Sequence, residues 1–136
     1  MRFMGPCFML LAACSQGQES AQSMATGNFA GEGRDRFCIA GEPGNYRGGL
    51  IAFASGDVNC SASGRIEMQG TQVTLVPRGE GGCRIPISIE GNAVRIGEVP
   101  GACSYYCGPG ATMAGKSFNR ANAGATAADL AGEPLC

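Results

Sequence analysis

Residues 65–75 constrain this chain more tightly than any other stretch. From Arg65 to Gln69 polar and apolar residues alternate, with Ile66 and Met68 apolar, and after Gly70 and Thr71 the alternation resumes with Val73 and Leu75. A two-residue Gly-X loop suits a type II′ hairpin turn, because glycine takes the positive φ needed at its first central position. That register sets Met68 opposite Val73 and Ile66 opposite Leu75, all on one face. The pattern recurs at Gly91 and Asn92, where Ile89 meets Val94 and Ile87 meets Ile96. Arg84, Ser88, Glu90 and Arg95 then fall on the solvated face, with Pro86 among them, which implies an edge position or a local bulge.

Two earlier stretches also read as strands. Asp35 to Ala40 is apolar around Phe37, Cys38 and Ile39, and Arg47 to Ala54 carries Leu50, Ile51 and Phe53 after a bulge at Gly48 and Gly49. Between them Gly41 to Asn45 is a turn cluster, and Ser55, Gly56 and Asp57 make the next turn. Counting by twos, Cys83 shares the inward face of Ile85, Ile87 and Ile89, and an unbroken strand through Gly64 puts Cys60 on the face of Ile66 and Met68. Late in the chain, Ala111 to Ser117 reads as a short Ala-rich helix, and one helical turn is expected at Ala127 to Leu130. The expectation is a mainly β domain, a small antiparallel barrel or sandwich with one or two short C-terminal helices, stapled by disulfides.

The staples follow from the cysteine count. Of eight cysteines, Cys7 and Cys14 lie in the first fifteen residues, leaving Cys38, Cys60, Cys83, Cys103, Cys107 and Cys136. An even set of this size in an exported chain of modest core reads as three disulfides, whose connectivity spacing alone leaves open. Strand parity and hairpin register favour Cys60 with Cys83. The other four would make two bridges in an undetermined order, and a bridge at Cys136 would pin a tail that otherwise frays.

Export itself is read from the N-terminus. Arg2 supplies a small positive region, and Phe3 to Ala13 is apolar apart from Gly5 and Pro6. Such a run, about 16 Å as a helix, is far too short to span a bilayer and fits a signal peptide. Leu11, Ala12, Ala13 and Cys14 resemble a bacterial lipobox. The resemblance implies that residues 1–13 are removed and that Cys14 becomes the acylated N-terminus of a lipoprotein. Ser15, where an Asp would favour retention in the inner membrane, implies the outer membrane. Residues 14–33, rich in Gln, Ser, Gly and Ala, would form a flexible tether reaching about 25 Å. Residues 34–136 would form the single disulfide-rich domain.

Composition narrows the function. The formal charge is −1 and the sequence shows no run of basic residues from which a basic stripe would be expected, so nucleic acid is not an expected partner. Histidine is absent from the sequence, which removes the commonest general base and metal ligand. Asp35, Asp57 and Asp129 sit at turns or ends, where solvated carboxylates are expected. Gly110 to Ser117 satisfies the phosphate-loop pattern G-x-x-x-x-G-K-[ST], but it follows a two-cysteine turn rather than a buried parallel strand, so no nucleotide is expected. Asn59, Cys60 and Ser61 fit a glycosylation acceptor only incidentally. No catalytic residue, cofactor or metal site is expected.

The reading is an envelope-anchored lipoprotein with a non-enzymatic binding or structural role. In size, anchoring and cysteine use the chain also resembles the small β-barrel lipoproteins that inhibit lysozyme, which implies a loop with a projecting Ser or Lys, near Lys116, entering a lysozyme cleft. A third reading is thiol-disulfide exchange through Cys103 and Cys107, although such enzymes usually use C-x-x-C.

Overall fold

The computed structural model describes residues 23–79 and 81–136. The expected signal peptide, Cys7, Cys14 and the first part of the expected tether lie outside the described residues. Eight strands follow in chain order: β1 Gly27–Ala30, β2 Arg36–Glu42, β3 Asn45–Phe53, β4 Asn59–Gln69, β5 Gln72–Pro77, β6 Ile85–Glu90, β7 Ala93–Ile96 and β8 Ser117–Arg120. Each pairs antiparallel with the next, and β1 pairs with β8 to close the barrel. Closure leaves no sheet edge exposed.

Both expected hairpin registers are present. Met68 faces Val73 and Ile66 faces Leu75; Ile89 faces Val94 and Ile87 faces Ile96. Gly70 and Gly91 have φ of +60° and +57°, and among the described residues none other than glycine has a positive φ. With Thr71 and Asn92 at negative φ, these turns are of the II′ and not the I′ kind. Pro86 is no edge residue: β6 lies between β5 and β7, and Pro86 faces Thr74 while its carbonyl accepts from the Gly97 N–H.

An eight-stranded barrel is just wide enough for side chains to fill. Here they do: Phe29, Phe37, Leu50, Leu75, Ile85, Val94, Ile96 and Phe118 are all fully buried in one cluster. Phe37 meets Phe29 edge-on with centroids 6.4 Å apart and Phe118 at 5.5 Å, an arrangement that suits the ring quadrupoles. The glycines of β3 make room without a bulge, since the register against β2 and β4 is continuous. A Cβ on Gly48 would lie 2.8 Å from Ile66 Cδ1.

The disulfides join Cys38 to Cys136, Cys60 to Cys107 and Cys83 to Cys103. The parity argument placed Cys60 and Cys83 correctly, both buried against the barrel core, but the pairing of Cys60 with Cys83 is wrong. Extending the β4–β5 register would bring residue 60 beside residue 81, yet β5 ends at Pro77. After the Arg78 N–H donates to the Ser63 carbonyl, the chain doubles back toward β6. The vacated place beside Cys60 is taken by Cys107 through an isolated bridge.

Three further expectations need correction. The folded domain begins before residue 34: β1 lies in the stretch read as tether, and Phe29 is buried between β2 and β8. The expected helix at Ala111–Ser117 is irregular chain with one turn at Ala114 and Gly115, ending where Ser117 opens β8. Instead of a helical turn at Ala127–Leu130, Ala128 bridges Pro134 and the Asp129 carboxylate accepts from the N–H groups of Ala131 and Glu133. Among the described residues the helical content is one short 3-10 segment, Gly101–Tyr106. The C-terminal tail crosses the outside of β2 and β3, where Gly49 leaves space for Leu135 and the Cys38–Cys136 bridge fastens it.

Candidate functional site

The up-and-down topology sorts the connections onto two ends. Pro43-Gly44, Gly70-Thr71 and Gly91-Asn92 close one end with two-residue turns. Residues 31–35, 54–58, 78–84 and 97–116 crown the other. The last and longest of these loops contains the 3-10 segment and is tied to the barrel twice, by Cys103 to Cys83 and by Cys107 to Cys60. Beside these bridges the Gly108 N–H donates to the Asn59 carbonyl at 2.9 Å.

This fixed loop presents two tyrosines of different character. The Tyr106 hydroxyl donates to the Arg78 carbonyl at 2.9 Å, joining two of the loops. Tyr105 stands edge-on to it, centroids 5.3 Å apart, and is 87% exposed. Behind the loop, Met113 is buried in the barrel core at the base of a groove of about 410 Å³ that also involves Val99, Ser104 and Pro109. A large, amphipathic side chain held on a constrained backbone loses little entropy when it is covered by a partner.

A polar cluster supports the same end. Asp35, expected to be solvated, is only 3% exposed. Its Oδ1 accepts from the Phe53 N–H at 2.8 Å, and its Oδ2 lies 3.7 Å from Lys116 Nζ. The β1–β2 loop is thereby tied to the end of β3 and the start of β8. On its outer side Arg34 pairs with Asp57 at 3.1 Å, donates to the Gly56 carbonyl and lies over the Phe53 ring at 3.9 Å.

The sequence candidates therefore separate. Cys103 and Cys107 are near in sequence but belong to different bridges. Lys116 does not project: its side chain is only 28% exposed and its ammonium is engaged by Asp35, and the chain after it enters β8 rather than the helix a phosphate loop needs. Two features had no usable sequence signal. The burial of Asp35 depends on where β3 ends, and the exposure of Tyr105 rather than Tyr106 depends on the disulfide partners.

Neither protein-family models nor curated proteins nor solved structures yield a match to this chain.

Proposed function

We propose that this protein is a bacterial envelope lipoprotein, anchored through Cys14 and directed to the outer membrane, that binds another envelope component without catalysing a reaction. The observation that carries the binding role is the doubly stapled loop end with Tyr105 exposed on it. Because the barrel interior is packed with side chains, binding is assigned to the outside. The lipobox residues carry the anchoring, and Cys14→Ser tests it: the variant should leave the membrane fraction and escape processing by the lipoprotein peptidase. Normal cleavage with retention in membranes would overturn the anchoring. For the binding role, crosslinking in intact envelopes followed by pull-down should recover a partner that Tyr105→Ala loses.

The closed barrel with its disulfides favours lysozyme inhibition as a second reading. It predicts that the purified protein slows lysozyme hydrolysis of cell walls at stoichiometric concentration. Lys116 is engaged with Asp35, so an inhibitory contact would be made by another part of the loop end. Thiol exchange through Cys103 and Cys107 is less well supported, because the two sulfurs are held in separate bridges, to Cys83 and to Cys60; rapid titration of both thiols in the native protein would restore it.

A further inference from the structure

The outer wall of the barrel carries a positive row that the loop end does not explain. Arg47 on β3 lies directly opposite Arg65 on β4, and Arg65 lies opposite Val76 on β5. The β5–β6 register, with Leu75 opposite Ile85, continues the row to Arg84. Arg78 lies beside this row, one residue past β5. All four arginines are exposed. Arg47, Arg65 and Arg78 surround a depression of about 520 Å³ that Gly64 helps to line, where a Cβ would run into the Val76 carbonyl.

Like charges placed directly opposite one another on a sheet are unfavourable. Glu67 relieves part of this, accepting from Arg65 at 2.8 and 3.0 Å and from Arg84. Among the described residues it is the one acid that forms a salt bridge to these arginines. Among the described residues, four guanidiniums against one bridging carboxylate make a local excess of positive charge in a chain whose net charge is −1. Guanidiniums are suited to phosphate because their planar forks can donate two hydrogen bonds at once.

The course of the chain says which phosphate. The Met24 N–H donates to the Tyr46 hydroxyl at 3.0 Å, so the N-terminal segment meets the barrel at the turn end of β3, where Arg47 stands one residue on with its side chain on the outer face. From Cys14 to Met24 the chain can extend at most about 35 Å. We propose that the Arg47, Arg65, Arg78 and Arg84 face docks on the anionic phosphate groups of membrane lipid headgroups. Its placement at the membrane rests on the Cys14 anchor, but its affinity for headgroups does not.

The full chain carrying Cys14→Ser separates the two. It is titrated with vesicles of phosphatidylcholine alone and of phosphatidylcholine with phosphatidylglycerol, at low and high salt. Binding is expected to the anionic vesicles only and to weaken with salt. Arg47→Gln with Arg78→Gln, which leaves the Glu67 bridges intact, should weaken it about thirtyfold, as expected for two surface cations. Arg34→Gln with Arg120→Gln removes the same charge elsewhere and should change it less than threefold. Equal losses in the two double variants, equal binding to neutral vesicles or no vesicle binding would overturn the proposal. So would inorganic phosphate that competes at concentrations too low for screening, since the face would then be a free-anion site. Matching thermal unfolding midpoints show that each variant is folded, and fractionation of the wild-type protein tests the anchor independently.

Discussion

At one end of the barrel the chain reverses in three two-residue turns, whereas at the other it passes through four longer loops, among them residues 97–116. The turn end is specified locally. Glycine at positive φ and alternating apolar residues set each register within a few residues, and cross-strand pairs such as Met68 with Val73 supply the stabilisation. The loop end is specified by contacts distant in sequence: Cys60 to Cys107, Cys83 to Cys103, Asp35 to Phe53 and to Lys116. Loops with so little regular hydrogen bonding would ordinarily be mobile. Here covalent and buried polar ties replace the ladder, and the end so held is the one on which Tyr105 is exposed.

The largest effect should come from cutting those ties. Chain-entropy arguments assign about 4 kcal/mol to a bridge spanning 47 residues and about 3 kcal/mol to one spanning 20. Replacing both cysteines by serine, Cys60 with Cys107 or Cys83 with Cys103, should lower unfolding free energy by roughly those amounts. Hydrogen exchange should show the amides of residues 101–107 losing protection beyond the global change, with the β4–β5 hairpin following the global change alone. A uniform loss over both ends would break the division between them.

The same division explains what was legible in the sequence. The hairpins at Gly70 and Gly91 were readable because a period of two and a glycine at the turn are local signals, and a shift by one residue would turn every apolar side chain outward. Parity also gave the inward direction of Cys60 and Cys83. Their partners were not readable, because the place beside Cys60 is decided by where β5 leaves the sheet, at Arg78, and by a segment that returns from residue 107. β1 was hidden for a related reason. It offers one apolar anchor, Phe29, in a polar run, and becomes a strand by pairing with both β2 and β8. The tail was legible in part: a bridge at Cys136 was expected to pin it, and it does, but its partner Cys38 and the space over Gly49 that takes Leu135 had no local signal.

Single glycines sharpen the comparison at smaller cost. Nothing lies within 4 Å of a Cβ built on Gly70, Gly91 or Gly81, so alanine at any of them tests backbone conformation rather than packing. Gly70 and Gly91 have positive φ, whereas Gly81, in the 78–84 loop, does not. Gly70→Ala and Gly91→Ala should each destabilise by about 1–2 kcal/mol, the cost of a left-handed conformation with a side chain. Gly81→Ala should be neutral, or stabilising by about 0.5 kcal/mol through the unfolded chain. Denaturant midpoints at constant m-value would measure both; similar losses at all three sites would mean that loop glycines are conformationally required as well.

The smallest effect belongs to the wall between the two ends, where Glu67 joins arginines from either side. The Arg84 hydrogen bond, and after it the Arg65 hydrogen bonds, hold the Glu67 carboxyl below the usual carboxylate range. A depressed pKa in the folded state means that the unfolded chain binds more protons in the interval between the two values. The contribution of Glu67 is therefore fully present above the ordinary glutamate value of about 4.3 and is lost as pH falls through the lower folded value. Glu67 is partly exposed and both arginines are exposed, so the effect should be small and reduced by salt. Glu67→Gln should lower the unfolding midpoint slightly at neutral pH, with the difference from wild type closing as the solution is acidified. Because Arg65 and Glu67 lie within β4 and Arg84 only at the junction of the 78–84 loop with β6, the pattern of hydrogen-exchange protection between the ends should not change. A midpoint difference that persists in acid would assign the loss to side-chain packing instead of charge, and one that appears only in the loop amides would attach this part of the wall to the stapled end.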